Sequence, residues 1–414
     1  MTNNFHGPAF LPRTFVQDAR SNPAKWKSES VAFFGTFNTG TILTGILHSS
    51  CLLQFSSPRD MIYALLGVID GMSRTADLFD ISVNYDIKVV DLYVSVFKIC
   101  IENVPALATL SMVTDRRQRI TEGLPSWVPD LAALAGLVHQ KRLGLFRPGF
   151  ESPPYNAAFM SARVPISRSV EGNVLDLRGF YLGDINAYSL DLSGRTIENT
   201  PRHLISLLDV CLALPTILRD GQDRIQGLWR TMVADSEYSL RPAPPELGAC
   251  FHDWILKALF FIRKYEVEWA SVLSIIFEKI TQLSENTVTL ISLPNVGVGS
   301  LWRGRVMVTR EGSTNQEIAK YVTSDNLLKF EKLISAVYAQ LLFRTNGGDL
   351  GYGPLSTSPG DQIWVLENGR VPFVLRPVAD GKNFELLGEC YVHGVMDGQL
   401  FSKGMPVYEN ISLV

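Results

Sequence analysis

The sequence predicts an α+β fold, predominantly α-helical, with a small C-terminal β-barrel-like or twisted-sheet unit. Three observations carry this. Apolar residues recur at helical spacing in several long stretches. Val174–Ile185 alternates apolar and polar residues at the period of a strand. Residues 346–414 turn rich in Gly and Pro, with hairpin signals between short β-forming runs.

Taken in order, the first ~30 residues are polar with three prolines and read as an extended arm. Ser30 to Pro58 contains no charged residue, yet Asn38, His48 and Gln54 interrupt it, so it reads as a buried core helix and not a membrane span. Leu43–Phe55 and Asp60–Ile69 read as two packed helices broken at Ser57-Pro58. Asp60 lies in a first turn, where a carboxylate complements the helix dipole, and Gly67 to Gly71 closes the element. Val89, Leu92, Val96, Ile99 and Cys100 mark an amphipathic helix. Two prolines flank Ser126-Trp127-Val128 and predict an extended segment that lays Trp127 against a core.

Val174–Ile185 is expected to be a strand or hairpin. Helical patterns return at His203–Leu218, Phe251–Leu283 and Gln316–Phe343. The longest carries Trp254, Phe260, Phe261, Trp269 and Phe277 on its core face. Ile363–Leu366, Val371–Arg376 and Phe384–His393 read as strands, with Asn368-Gly369 and Asp380-Gly381 as turns. The stretch GDLGYGP reads as a turn, since Pro354 and the lack of a following helix argue against a phosphate cradle. The expected partition is a helical region with an N-terminal arm over 1–150, a strand or hairpin and long helices over 151–345, and a β unit over 346–414 that packs with strand 174–185 as one compact body.

Composition excludes several functions. The formal charge is −3 in 414 residues, with no basic surplus to neutralise nucleic-acid phosphates. The five cysteines are scattered, without a C-x-x-C pair, and read as buried reduced thiols, while the dispersed histidines offer no zinc site. The opening residues lack the basic and apolar regions of a signal peptide, and the cytoplasm is the expected location.

Several of these stretches resemble the fungal heterokaryon-incompatibility (HET) family: SSPRDMIYALLGVID (56–70), VNYDIKVVDLYVSVF (83–97) with LPSWVPDL (124–131), and GDLGYGPLSTSPGDQIWVLENGRVPFVLRP (348–377) with LLGECYVHGVMDGQ (386–399). Their order matches too, and NVLDLRGFYLGDI (173–185) resembles the strand that the family carries between them. The resemblance runs from about Arg59 to Gln399 and is weaker between Ala187 and Leu342. Family members typically begin with a Toll/interleukin-receptor-like HET domain linked to cell death. Its Ser-Tyr-x-Trp-Gly and Trp-Ile-Asp-x-x-Cys-Ile-Asn-Gln stretches do not occur in this sequence. The resemblance therefore implies the C-terminal half of such a protein standing alone, without the effector chemistry of that domain. Gln399 stands where the family has Glu.

No nucleophile elbow, Walker loop, dinucleotide fingerprint or H-E-x-x-H motif is present, and no cofactor or metal is expected. The richest polar set is C-terminal. His393, Arg376 and Tyr391 are the catalytic candidates; Arg59, Tyr63, Trp127, Arg344, Tyr352, Trp364, Glu389 and Asp397 are the substrate-binding candidates. Alternation places Glu389, Tyr391 and His393 on one strand face, where a His near carboxylates suits acid–base work. The plainer reading, which the sequence favours, is that these groups satisfy one another at the edge of a small β unit. Arg59-Asp60 likewise reads first as an anchor fixing a helix start.

Two functions follow. One is a cofactor-free natural-product enzyme, a Diels–Alder-type pericyclase that shapes the cyclisation of an apolar terpenoid or polyketide in a preorganised pocket. The other is a non-enzymatic interaction or regulatory protein in heterokaryon incompatibility, with a protein partner. The enzyme is the leading expectation, because an apolar scaffold remains where the effector domain is not seen.

Overall fold

Asp60 fixes the start of helix α1 (Asp60–Met72): its carboxylate accepts from the Ser56 hydroxyl (2.8 Å) and the Ser57 N–H (3.1 Å). The computed structural model describes residues 43–44, 46–47, 55–72, 81–103, 107, 109–113, 115–136, 155–158, 168–189, 200–237, 240–265, 269–284, 325–334, 340–379, 381–404 and 406–414. These residues form a mixed α and β structure of eight α-helices and nine strands. They divide into two compact units, Met1–Leu182 with Asp361–Cys390 and Val395–Val414, and Gly183–Gly360 with Tyr391–Gly394.

In the first unit, α1 runs through Gly67 and Gly71, where a helix end was expected. Helix α2 (Val89–Asn103) buries Leu92, Val96 and Cys100, the stripe its periodicity predicts. Helix α3 (Leu131–Gly136) follows the Trp127 segment. That segment is a turn, not the extended piece expected: the Val128 N–H returns to the Pro125 carbonyl at 3.1 Å. Two groups outside the proline frame cause this. Arg119 donates to the carbonyls of Leu124, Pro125 and Ser126. The fully buried Asp130 accepts from the Ile120 and Thr121 N–H groups, the Thr121 hydroxyl and the Ala133 N–H. Trp127 is nonetheless buried as predicted, and its indole N–H donates to the Asn173 carbonyl.

Strands β1 (Ser169–Glu171), the first part of β2 (Val174–Tyr188), β5 (Gln362–Leu366), β6 (Phe373–Pro377), β7 (Asn383–Glu389) and β9 (Glu409–Leu413) complete this unit. β2 pairs antiparallel with β9, Leu177 opposite Ile411, and β9 runs parallel to β7. β7, β6 and β5 are consecutive antiparallel neighbours, and β5 pairs again with β2, which closes these five strands into a ring. Asn368 (φ 62°) makes the expected turn between β5 and β6, and Gly381 (φ 68°) lies in the next; Asp380 is outside the described residues. The edge strand β1 is blunted, because Lys98 of α2 donates to the Val170 carbonyl.

The second unit holds α4 (Thr200–Leu212), α5 (Arg224–Met232), α6 (Leu247–Tyr265), α7 (Trp269–Ser284) and α8 (Asp325–Ile334). Asp223 caps α5 through the Ile225 and Gln226 N–H groups. The single helix expected over 251–283 is thus two. Phe251, Trp254 and Phe330 meet with ring centroids 5.7–6.2 Å apart, giving an aromatic helix core. The side chains of Phe260, Phe261, Trp269 and Phe277 lie outside the described residues. So do Cys51 and most of Leu43–Phe55, of which Leu43, Thr44, Ile46 and Leu47 are helical and buried.

The helix expected over Gln316–Phe343 is corrected: α8 ends at Ile334, and Gln340–Thr345 is strand β3. GDLGYGP is not a turn but contains β4 (Leu350–Pro354), which pairs with β3 and with β8 (Tyr391–Val392). Pairing on both edges overrides the local pattern. Among the described residues no helix is long and apolar enough to cross a membrane.

Candidate functional site

The polar residues that converge most closely lie where β8 leaves β4. Gly351 faces Val392 and Tyr352 faces Tyr391 across the antiparallel pair. A Cβ on Gly351 would run into the Tyr391 carbonyl and the Phe343 ring, so only glycine permits this approach. Tyr352 and Tyr391 stack with centroids 5.3 Å apart and planes at 11°. The strand expected as Phe384–His393 is interrupted at Cys390, between β7 and β8. Glu389 therefore belongs to the first unit, and Tyr391 and His393 to the second.

His393 is buried, 4% exposed, and its N–H donates to the Leu350 carbonyl at 2.8 Å. Its Nδ1 lies 3.4 Å from the Tyr391 hydroxyl, and its Nε2 lies 2.9 Å from Asp220 Oδ2. The second contact is close but not a well-aligned hydrogen bond. Burial pushes the Asp220 carboxyl up. His393 and the Gln222 N–H pull it down further, and the net position is below the ordinary carboxylate value.

Arg219, the preceding residue, clasps Asp349 with two bonds, Nε–Oδ1 at 2.6 Å and Nη2–Oδ2 at 2.9 Å. Asp349 also accepts from the Thr345 hydroxyl at 3.1 Å. The hydrogen bond to Asp349 raises the Arg219 guanidinium above its ordinary value. Two consecutive loop residues thus grip two points beside β4. Both points are shaped by left-handed glycines, Gly348 against Pro215 and Gly394 against Asp220. The arrangement locks the loop between α4 and α5. Arg219 and Asp220 were not expected from the sequence, since a charged loop pair has no periodicity and its partners are remote in the chain.

The remaining candidates are placed as follows. Arg344 is half-buried on β3, opposite Leu350. In the first unit, Arg376 grips the buried Asp361 in a fork, Nε–Oδ1 at 2.7 Å and Nη2–Oδ2 at 2.9 Å; that hydrogen bonding raises the guanidinium. Trp364 donates to Gln362 and meets Tyr181 and Phe384 edge-on, each at 5.6 Å. Glu389 is buried at the end of β7. Asp397 exchanges two bonds with Gln399, its N–H to Oε1 at 2.8 Å and Nε2 to Oδ2 at 3.3 Å. Arg59 and Asp60 do not pair with each other. Arg59 donates to the Ile87 carbonyl, Tyr63 to the Asn84 carbonyl, and Tyr85 to Asp60. Trp127 is core.

Cys100, Cys211, Cys250 and Cys390 are buried and free. Burial pushes the Cys100 and Cys211 thiols up to about 12, so neither forms a thiolate nucleophile. Among the described residues no group of His, Cys, Asp and Glu is arranged to hold a metal ion.

Residues 301–405 match the family described as the Het-6 beta-barrel domain. A stretch of 60 residues, 14% of this chain, is 43% identical to heterokaryon incompatibility protein 6, OR allele, of Neurospora crassa; it spans only 9% of that protein's length. No solved structure matches the chain. The resemblance read from the sequence motifs thus holds in the C-terminal region, where the chain is similar to the Het-6 beta-barrel domain family and to a heterokaryon incompatibility protein.

Proposed function

We propose that this chain is a non-enzymatic interaction or regulatory protein of fungal heterokaryon incompatibility, acting on a protein partner in the cytoplasm. The observation that carries this reading is the Het-6 beta-barrel match over 301–405, together with the similarity to the Neurospora protein. The polar geometry supports it. Arg376 is matched to Asp361, His393 to Asp220, and Asp397 to Gln399, so these candidates are engaged by neighbouring residues at turns and strand ends. A Diels–Alder-type cyclase working on an apolar terpenoid or polyketide was the leading expectation from the sequence, and the comparisons give it no support.

The test is genetic and chemical together. The gene is deleted or overexpressed in its host, heterokaryon formation between paired strains is scored, and metabolite extracts are compared. An altered incompatibility reaction with unchanged metabolites is expected. Normal heterokaryon reactions with loss of one cyclised metabolite would replace this reading with the cyclase.

A further inference from the structure

The motif SSPRDMIYALLG, which the resemblance brought forward, does one visible job: it pins the loop 81–88. Three side chains make the bonds, Arg59 just before α1 and Asp60 and Tyr63 in its first turn. Arg59 Nε donates to the Ile87 carbonyl at 2.8 Å, the Tyr63 hydroxyl donates to the Asn84 carbonyl at 2.6 Å, and Asp60 Oδ1 accepts the Tyr85 hydroxyl at 2.7 Å. Tyr93 of α2 ties the same corner by donating to the Pro58 carbonyl, and Asn84 closes the turn by accepting the Asp86 N–H. The Tyr63 and Tyr85 rings meet edge to face, 5.3 Å apart.

What this framework holds rigid is a pair of outward side chains. Val83 is 61% exposed and Tyr85 57% exposed, two residues apart on the same fixed loop. Pro58 and Ala64 are exposed beside Asp60, Ala64 one helical turn along and so on the same face of α1. Isolated exposed apolar residues are ordinary. Two on a loop fixed by three tertiary hydrogen bonds present preordered area, and binding there loses little conformational entropy.

Charge selects the occupant. The Tyr85 hydroxyl is committed to Asp60, so its ring is the part on offer, and an aromatic face attracts cations. Asp60 lies at the hydroxyl end of the ring, and Asp86 is exposed next to Tyr85 in the chain. Arg59 is turned inward to the Ile87 carbonyl, and Lys88 is the one cation within residues 81–88. The Tyr85 phenol and the Ser56 hydroxyl hold the Asp60 carboxyl below the ordinary value, so it stays ionised through the neutral range.

We propose that the Val83–Asp86 loop is a docking face for a protein partner that brings an Arg or Lys side chain onto the Tyr85 ring, between Asp60 and Asp86, with an adjacent apolar side chain against Val83. The proposal rests on the recognition reading above and names the surface through which it works.

The probe is a random peptide display library selected on the purified full chain. The expected winners carry Arg or Lys next to a large apolar residue. Val83→Ser and Asp86→Lys should each weaken a selected peptide by about tenfold or more, with the melting temperature unchanged. Tyr85→Phe, which keeps the ring, should retain most of the binding. No enrichment, winners without a basic residue, or binding indifferent to both substitutions would overturn the proposal. The same two variants separate it from the function proposed above. If they still provoke the incompatibility reaction of the wild-type chain, the docking face is wrong and the recognition role stands. If the wild-type chain is inert in that assay while basic peptides bind this loop and depend on Val83 and Asp86, the role is wrong and the face stands.

Discussion

Asp220 and His393 lie 2.9 Å apart, carboxylate to imidazole, while the neighbouring Arg219 holds Asp349 by two bonds. The two grips act on one loop, so each keeps the other's geometry in place. Removing the partner of a buried carboxylate strands it, at a cost of ~3–5 kcal/mol when both groups are charged and fully enclosed. Asp220 keeps some contact with solvent. His393→Ala should therefore cost less, about 2–3 kcal/mol, in urea unfolding. Arg219→Ala, which strands the more deeply buried Asp349, should cost at least as much. If His393→Ala leaves stability unchanged but abolishes a biological activity, the imidazole serves a ligand and not the loop.

The same contact fixes a pH dependence. The Asp220 carboxyl lies below its ordinary value in the folded chain, so it is more acidic folded than unfolded. Its contribution to stability is full above the unfolded value, near ~3.9, and is lost as pH falls through the folded value. Melting temperature against pH should show an acid-side decline that Asp220→Asn flattens. An unchanged slope in that variant would mean that other carboxylates carry the acid sensitivity.

What the sequence made legible follows from where each cause sits. Helix α2 and the turn at Asn368 are legible because the stripe and the left-handed residue are local. Strand β4 is not: its glycines signal a turn, whereas Gly351 is there to let the Tyr391 backbone approach. The Trp127 turn is misread for a related reason, since the proline frame suggests extension and Arg119 and Asp130 draw it closed. Of the site, His393, Tyr391 and Tyr352 are visible as a polar cluster, but Asp220 is not. Arg376 and Glu389 share a sequence neighbourhood with them, and the fold assigns them to the other unit.

Gly351 offers the sharpest packing test. Its missing Cβ is replaced in space by the Tyr391 carbonyl and the Phe343 ring, one of them backbone and unable to rotate away. Gly351→Ala should destabilise the second unit by about 1–3 kcal/mol or more, the usual cost of overpacking. The Tyr352–Tyr391 stack should be disturbed with it, visible as a change in near-ultraviolet circular dichroism. A variant of wild-type stability would show that β8 does not sit against β4 at this distance.

Arg376 and Asp361 make the corresponding fork in the first unit, on strand β6 and at the entry to β5. Arg376→Lys keeps the charge but loses the second parallel bond, so it should recover only part of what Arg376→Met loses. A double-mutant cycle with Asp361→Asn should give a coupling energy of about 1–3 kcal/mol, as for residues in direct contact. A coupling near zero would show that the fork does not contribute to the stability of the fold.

Asp130 bears the most on the Trp127 turn. It has no exposure to solvent and accepts two loop N–H groups, a hydroxyl and the N–H of Ala133 at the start of α3. Asp130→Ala leaves those donors without a partner, at ~1–3 kcal/mol for each buried one, and removes the capping bond to α3. A loss of about 3 kcal/mol or more is expected in denaturant unfolding. Trp127 fluorescence should move toward the red as the indole loses its enclosure, because the turn that seats it is drawn closed from the same residues. Asp130→Asn retains an acceptor oxygen but brings two donors into a site that holds only donors, so it should recover little. If instead it matched the wild type, the turn would be held by Arg119 alone, and substitution of that residue would then carry the whole loss.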